Sequence, residues 1–548
     1  MGYIQRGSQT GVCVFRKFAG TTLLVMGVVV GVGACATLLA GPSAAQAPVV
    51  TPPVRPPTAH ANPWSRIVRA ENARPGTAGA TISSTRGKAA GLAAYADRVS
   101  VLPGEDVGLY VSTAVTEKVA VRALRVGYYA GLGFRSVWAG SFVAHPQRAA
   151  STLTTPLSDA GGARSTNARI APWTVTTVLS TSGWPEGMYV LRLDAGKASR
   201  YVLLTVRSAE TSGRLLLLDS PLTWEAYNTW GGRSLYGDES KSFSRRSTAV
   251  SFDRPYDDGY GAGKFFTNVI SLVREAEKLG LPLAWATDYD VALDPSLIRG
   301  STGIVVGGHA EYWTAVERDA VVAEVRRGTN LAVFGANTAY WRVRLAGRKV
   351  ALAAQPSRRD GRPRIVFGPK DSRLDPLAST DPSGATARFR DRPAARSEAA
   401  LTGLRYDCFP ARADWVVSDA SWWGYAGTGL VKGSRLTGVV GPESDRVYPA
   451  ADRPKPEQVV AYTTFTCRGA TTAHTGVYWT NPAGAGVFNA GSIDWQRSLT
   501  VGTATRAIGK ITDNVLARFA VPLAGAAHPA TDTVGRYWLP TSSTTSAS

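Results

Sequence analysis

The sequence of 548 residues is poor in the side chains that most often bind transition metals or act as nucleophiles. It contains 5 histidines, 4 cysteines and 3 methionines. No two histidines stand at the HExxH spacing with which a helix binds zinc, so the sequence excludes a zinc protease of that type. No cysteine follows a strand into a Gly-rich turn, which argues against a thiol nucleophile of the amidotransferase kind. Any catalysis must therefore come from other residue types.

Only two cysteines fall outside the N-terminal segment. Cys13 and Cys35 lie near the amino terminus, which leaves Cys408 and Cys467 for the rest of the chain. In an oxidising compartment these two are expected to pair. A bridge that closes a loop of this length would stabilise the fold by roughly 4 kcal/mol in the chain-entropy model.

Acidic residues are fewer than basic ones, and the formal net charge is +20. The charge is spread along the chain, with a local cluster in SRRDGRPRIVFGPKDSRLDP and ARFRDRPAARSE, and no nucleic-acid-binding motif accompanies it. We expect no nucleic-acid partner. The cluster is interpreted as a solvated Arg-rich loop, with an adhesive patch for anionic polymers of the cell envelope as the alternative.

The amino terminus resembles a secretory signal peptide. Arg16 and Lys17 precede an apolar run over about residues 21–40, and small residues ending at Ala47 follow it. This order predicts export with cleavage after Ala47, which makes residues 1–47 the signal. Residues 32–35 weakly resemble a lipoprotein processing box, and the apolar run is long enough for one membrane anchor. A secreted protein and an envelope-associated one are both compatible with these features.

The remaining sequence predicts two folded regions. Residues 48–89 begin as a Pro-rich linker. Alternating apolar segments in residues 90–208, separated by Gly, Pro and Asp, predict a β-sandwich-like domain. Strand and helix patterns then alternate over 209–525, which indicates an α/β domain, and its Gly-, Pro- and Trp-rich part at about 346–475 is interpreted as a large β-rich insertion. Residues 526–548 are expected to form a tail.

The segment STGIVVGGHAEYW carries the most informative pattern. A buried strand ends at two glycines, and His309 and Glu311 follow in the turn before a helix whose start is marked by the capping pair Thr314 and Glu317. The next apolar run, NLAVFGANTAYW, ends near Asn337. Because the carboxyl ends of parallel strands open onto one crevice, His309, Glu311 and Asn337 are expected to lie together.

Aromatic loops are expected to rim this crevice. TWEAYNTWGGRSLYG follows the first strand of the α/β region, so Tyr227 and Asn228 should project toward Glu311. The tryptophans of these loops are expected to pack the loops onto the sheet. For Tyr227, packing and function are about equally supported by the pattern alone.

Six motifs carry a resemblance to a known family. VGYYAGLGFR, TWEAYNTWGG, SFDRPY, GGHAEYW, GANTAYW and GAGVFNAG resemble the C-terminal region of the large (beta) subunit of N,N-dimethylformamidase, over about residues 100–520. The resemblance implies a β-rich domain followed by an α/β domain of the class I glutamine-amidotransferase-like type. It also implies hydrolysis of an amide at a mononuclear iron held by two tyrosines and a glutamate, with a histidine and an asparagine nearby.

Matched to this sequence, the resemblance implies that Tyr227, Glu311 and Tyr189 are the iron ligands. His309 and Asn337 match the nearby polar pair, as a proton acceptor and as a donor to the developing oxyanion. Phenolate and carboxylate oxygens are hard donors that suit Fe(III) better than zinc. A Lewis acid can polarise an amide carbonyl and lower the pKa of bound water.

Two functional classes follow from these features. The first is an exported iron-dependent hydrolase of the C–N bond of a small amide, with dimethylformamide itself disfavoured by export. The second is a non-catalytic protein of the cell envelope whose aromatic cleft binds a carbohydrate or another polymer. An enzyme requires Tyr227 and Glu311 to converge within metal-binding distance, whereas a binding module requires exposed stacking rings.

Overall fold

A computed structural model of the chain describes residues 62–154, 157, 166–347 and 361–538, and all of these belong to one compact unit. The predicted signal peptide and the first part of the predicted linker lie outside the described residues. No helix within the described ranges is both long and apolar enough to cross a membrane.

The described residues form two short helices, then strands up to residue 206, and then strands interspersed with helices. The strands are β1 (Leu92–Ala96), β2 (Ser100–Val101), β3 (Asp106–Thr113), β4 (Glu117–Val126), β5 (Phe134–Ala144), β6 (Ser151–Thr152), β7 (Arg169–Ile170), β8 (Thr177–Ser180), β9 (Gly187–Ala195), β10 (Ala198–Val206), β11 (Leu215–Asp219), β12 (Ala249–Ser251), β13 (Leu283–Thr287), β14 (Gly303–Gly308), β15 (Tyr312–Thr314), β16 (Asn330–Gly335), β17 (Trp341–Ala346), β18 (Ile365–Phe367), β19 (Arg405–Cys408), β20 (Ala413–Val416), β21 (Arg435–Val440), β22 (Ser444–Arg446), β23 (Glu457–Cys467), β24 (Ala470–Thr480) and β25 (Gly486–Asn489). The helices are α1 (Pro63–Asn72), α2 (Ser84–Lys88), α3 (Pro221–Tyr227), α4 (Gly263–Asn268), α5 (Ile270–Lys278), α6 (Asp288–Leu293), α7 (Ala315–Arg326), α8 (Leu377–Thr380), α9 (Ala399–Thr402), α10 (Trp495–Ser498), α11 (Thr505–Phe519) and α12 (Ala524–Ala527).

The predicted linker and tail extend too far into the folded chain. Residues 62–89 contain α1 and α2 rather than an extended linker, and Val68 and Ile82 of this segment are buried in the main core. The predicted tail likewise begins in packed structure, because Val534 is fully buried. The first boundary was predictable, because Asn62 and Pro63 form a helix start and α1 is amphipathic. The second was not, because the short helix α12 and the turn at Val534 are too short to give a periodic signal.

The amino-terminal strands form two antiparallel layers with one apolar core between them. One sheet has the order β1-β3-β8, and the other has the order β2-β10-β9-β4-β5, in which only the short β2 pairs in parallel. Inward-facing residues such as Val107, Leu109, Val121 and Leu191 are completely buried. The residues that face this core alternate along β3 and β9, as the sequence pattern predicts, but the residues between them are mostly buried as well, against other parts of the chain.

A seven-stranded sheet organises the rest of the chain, with the order β13-β11-β14-β16-β25-β24-β23. The first five strands are parallel, and β24 and β23 extend the sheet as an antiparallel hairpin. All five residues of β11 and all six of β14 are buried, as expected for parallel strands covered on both faces. Helix α7 begins at the predicted capping pair, Thr314 with Glu317. That this α/β region belongs to the class I glutamine-amidotransferase-like type stays a prediction.

The predicted insertion at 346–475 is only partly an insertion. Strand β23, which lies inside that range, is an edge strand of the central sheet, since it pairs along its length with β24. The sequence could not show this pairing. The patterns of β23 and β24 predict two consecutive strands, but they do not say whether the hairpin joins the central sheet or a separate one. Within the range, the pairs β19-β22 and β20-β21 form small separate sheets. Strand β18 instead joins earlier strands of the chain in a four-stranded sheet with the order β12-β18-β17-β15.

The predicted disulfide between Cys408 and Cys467 is present, with Cα atoms 6.5 Å apart. It joins the end of β19 to the end of β23. Cys408 is also the register partner of Ser444 in β22. The bridge therefore anchors the segment that carries Glu443 to the edge of the central sheet.

Candidate active site

The candidate site lies beyond the carboxyl ends of two neighbouring parallel strands. Strand β14 ends at Gly308 and is followed by His309 and Glu311, and β16 ends at Gly335 just before Asn337. The two strand ends approach so closely that a Cβ atom at Gly335 would lie 2.0 Å from the carbonyl oxygen of Gly308. Only glycine permits this approach, which brings the two turns together.

Three side-chain oxygens form a closed triangle at this point. The hydroxyls of Tyr227 and Tyr236 each lie 2.7 Å from Oε2 of Glu311, and the two hydroxyls lie 2.6 Å from each other. Two phenol protons can fill only two of the three edges with hydrogen bonds. The third edge holds two oxygens in close contact without a proton between them, an arrangement that a cation would stabilise.

Tyr227 comes from the end of α3, whereas Tyr236 comes from the loop that follows it. The two rings stack with their centroids 4.2 Å apart. The hydroxyl of Tyr312 donates to that of Tyr236 at 2.8 Å, and its ring meets both others edge to face. The stacked pair and the third ring fix the positions of the two hydroxyls that face Glu311.

His309 links the triangle to a second carboxylate. Its Nε2 lies 2.9 Å from the hydroxyl of Tyr227 and 3.3 Å from Glu311, and its Nδ1 lies 3.8 Å from Oε2 of Glu443. The side chain of Asn337 also acts on Glu443, because it opposes the rise in pKa that burial causes at that carboxyl. The backbone N–H of Asn337 donates to the buried carboxylate of Asp445 at 2.9 Å, which holds Asn337 in its left-handed conformation, with φ of 57°.

The charges of the cluster are set by burial and by these neighbours. Burial opposes ionisation of Glu311, but His309, Lys370 and the hydrogen bond from Tyr236 outweigh it and hold its pKa at about 2. Burial also opposes a charged His309, yet the carboxylates of Glu443 and Glu311 raise its pKa. Burial raises the pKa of Glu443, with His309 acting against it. Glu311 is therefore held as an anion, whereas burial favours the neutral form of Glu443 and the neighbouring carboxylates favour the charged form of His309.

Desolvation dominates the phenols and the nearby lysine. Burial, followed by the charge of Glu311, raises the pKa of Tyr227, Tyr236 and Tyr312 well above the ordinary value, so that each phenol is neutral in the metal-free protein. Lys370 lies with its ammonium 3.0 Å from the ring centroid of Tyr236, and burial lowers its pKa to about 7.

The structure brings together four of the five residues proposed from the sequence, namely Tyr227, Glu311, His309 and Asn337. It does not bring Tyr189 to them. That residue is buried in β9, where its hydroxyl donates to the carbonyl of Pro185 at 2.6 Å and its ring stacks on Trp184. The prediction of Tyr189 as a ligand is corrected, because the second phenol next to Glu311 is that of Tyr236.

Sequence reasoning missed Tyr236, Tyr312, Glu443 and Lys370. A signal existed for two of them, since Tyr236 ends the aromatic loop TWEAYNTWGGRSLYG and Tyr312 directly follows Glu311. Glu443 and Lys370 lie in irregular loops after β21 and β18, where no periodicity or motif marks them. Only the folded chain shows that they face the same point.

The donor set was tested against the iron that the resemblance implies. Oxygen ligands at right angles and about 2.0 Å from a small cation lie about 2.8 Å from each other, close to the 2.6 and 2.7 Å edges of the triangle. Two phenols and one carboxylate are hard, anionic donors of the kind that Fe(III) prefers. Within the described ranges no group of three or more His, Cys, Asp or Glu side chains is placed to hold a metal, so this set depends on its tyrosines.

Comparison with known proteins agrees with the motifs. A family model described as N,N-dimethylformamidase beta subunit-like, C-terminal, matches residues 120–509, which include every residue of the site. The resemblance seen in the motifs is thereby confirmed. No curated protein matches the chain significantly.

Proposed function

The chain belongs to the N,N-dimethylformamidase beta subunit-like family, and on that premise we propose that it hydrolyses the C–N bond of an amide at a mononuclear ferric ion. Family membership supports an amide hydrolase in general terms. The observation that supports the iron is the closed triangle of Tyr227, Tyr236 and Glu311. These three side chains would hold the ion, which when bound would polarise the amide carbonyl and lower the pKa of water.

The remaining residues of the site handle protons. In the reaction, water oxygen bonds to the carbonyl carbon, the C–N bond breaks, and the amine leaves with one proton. Glu443 is the proposed general base, because its carboxylate is buried, has a raised pKa and leaves Oε2 without a hydrogen-bond partner among the described residues. His309, whose charged form is favoured by the carboxylates of Glu443 and Glu311, is assigned to donate the proton that the leaving nitrogen takes.

Asn337 takes a different role from the one expected. Its side chain lowers the pKa of the Glu443 carboxyl, so we assign it to positioning the base rather than to contacting an oxyanion. General-base catalysis requires a carboxylate that keeps one orientation toward the substrate.

The alternative of a carbohydrate-binding envelope protein has less support. The three tyrosine rings of the site pack against one another around a buried carboxylate, whereas sugar binding by stacking needs an open ring face. Export of the protein and its attachment to an anionic envelope stay predictions from the sequence. The bridge between Cys408 and Cys467 supports an oxidising compartment.

The test compares wild type with Glu311→Gln and Glu443→Gln. Purified proteins are reconstituted with iron, and bound metal is measured by elemental analysis and by the visible absorption of phenolate bound to Fe(III). Activity is then screened on short amides. We expect wild type and Glu443→Gln to bind iron, Glu311→Gln to lose it, and only wild type to be active. Absence of iron from reconstituted wild type would contradict the metal proposal.

A further inference from the structure

A cavity of about 360 Å³ lies directly beside the site and plays no part in the roles assigned above. One wall is Tyr227, a member of the oxygen triangle, and another is Leu203 of β10, from the amino-terminal sandwich. Pockets that bind small ligands have volumes of about 300–1,000 Å³, and this cavity falls within that range. A minimal dialkylamide would leave most of this space empty.

The cavity borders the reacting groups through Lys264. Its ammonium lies 4.7 Å from the ring centroid of Tyr227, and its charge acts on both His309 and Glu443. A molecule in the cavity would therefore contact Tyr227, a member of the oxygen triangle.

The walls change in character from the interior to the mouth. Trp224 is only 5% exposed, and its indole N–H has no hydrogen-bond partner within the described ranges. The buried hydroxyl of Tyr256 likewise has no hydrogen-bond partner among the described residues. At the mouth stand Asp257 and Asp258, both exposed. An apolar and aromatic interior thus leads to an anionic rim.

The two rim carboxylates have no cation of their own. Neither Asp257 nor Asp258 forms an ion pair with another residue in the part of the chain that the structure describes. Asp257 is held by the backbone N–H and hydroxyl of Thr229. Asp258 lies against Gly263, where a Cβ atom would come within 2.5 Å of its carboxylate. Asp257 is thus held in place by Thr229, and the exposed carboxylates of both residues are accessible to a cation from outside.

We propose that this cavity binds the non-reacting part of the substrate, and that the substrate is an amide with an apolar chain ending in a cationic group. The inference rests on the proposed hydrolase function. The apolar chain would fill the space between Leu203 and Trp224, and the cation would pair with Asp257 and Asp258. The unpartnered donors of Trp224 and Tyr256 would hold an acceptor group along the chain.

The test uses three amides of equal chain length, namely 6-aminohexanamide, hexanamide and adipamic acid. We expect kcat/KM of wild type to be highest for the cationic amide and lowest for the anionic one. In the double variant Asp257→Asn/Asp258→Asn, the preference for 6-aminohexanamide over hexanamide should shrink about fivefold. Asp106→Asn, an exposed change in β3, is the matched control and should keep the preference.

A second measurement separates this inference from the hydrolase proposal. Binding of 6-aminohexanamide to wild type and to the double variant is measured by calorimetry, which requires no turnover. Hydrolysis without a preference for the cationic amide would overturn the pocket assignment and leave the hydrolase intact. If no amide is hydrolysed, binding that weakens in the double variant supports the pocket, and equal or absent binding overturns it. Unchanged circular dichroism of the double variant excludes misfolding.

Discussion

Two buried polar networks of this protein both contain tyrosines and glutamates, but they differ in whether their polar groups are paired. In the first, Arg125 contacts Glu277 at 2.6 Å and Tyr129 at 2.9 Å, and Glu71 accepts from Tyr129 and from Arg135. Each carboxylate there has its own guanidinium. This network joins the amino-terminal sandwich and α1 to α5.

The second network is the candidate site, and its groups are not all satisfied. Glu311 has two phenols crowded against one oxygen, and Nδ1 of His309, Oδ1 of Asn337 and Oε2 of Glu443 are buried without hydrogen-bond partners among the described residues. Buried polar groups are normally paired, so unpaired ones need an explanation. The difference teaches that a network closed on itself stabilises a fold, whereas one left open is arranged for a group from outside the chain.

The largest expected effect is a loss of stability when the closed network of Arg125 and Glu277 is broken. In Glu277→Gln, Arg125 keeps its charge in a site where its side chain is only 2% exposed, without its carboxylate partner. Breaking one side of such a pair costs about 3–5 kcal/mol. We expect the free energy of unfolding in urea to fall by that amount, while iron bound per folded molecule stays at the wild-type value. Loss of iron at unchanged stability would contradict the separation of the two networks.

A pair of matched tyrosine changes sharpens the comparison. Tyr236→Phe removes a proposed ligand, so iron affinity should fall at least about 100-fold. Tyr189→Phe removes only the hydrogen bond to the carbonyl of Pro185 and should cost about 1 kcal/mol of stability with iron binding unchanged. Metal titration followed by visible absorption measures both. The reverse result would restore Tyr189 as the ligand and reject Tyr236.

The smallest expected effect is on the pH dependence of stability, to which two buried histidines in contrasting surroundings contribute. Burial lowers the pKa of His474 to about 4, since only the carbonyl of Ala490 faces its ring nitrogen, whereas carboxylates raise the pKa of His309. Between pH 4 and 6.5 the unfolded chain binds a proton at residue 474 that the folded chain does not, so this residue's contribution to stability is lost as pH falls through that window. For His309 the sign is opposite, and its contribution is lost as pH rises.

The measurement is the free energy of unfolding at pH 6.5 and pH 5 for wild type and His474→Gln. Wild type should lose about 1.5 kcal/mol more than the variant over this interval. Equal losses would show that His474 is protonated in the folded protein, which would contradict the view that a histidine without a carboxylate neighbour stays neutral here.

The sequence allowed much of the site to be predicted where local pattern and chemistry coincide. The glycine-bounded strand before His309 and Glu311 and the capping pair after them fix a strand, a turn and a helix within one short segment. Asn337 was predictable from the next strand by the same reasoning. Tyr189 was proposed as a ligand only from its distance along the sequence. Such a distance does not tell where a side chain lies in space, and the prediction was wrong.

By itself, then, the amino-acid sequence determined the order of β-rich and α/β regions, the pairing of Cys408 with Cys467 and the turn that carries Glu311, because each depends on residues whose spacing or number constrains the outcome. Tertiary structure alone decided that Tyr236, 75 residues away from Glu311, supplies the second phenol, and that Glu443 faces His309. The physical reason is that these residues stand in irregular loops, whose paths are set by packing against the sheet rather than by their own periodicity.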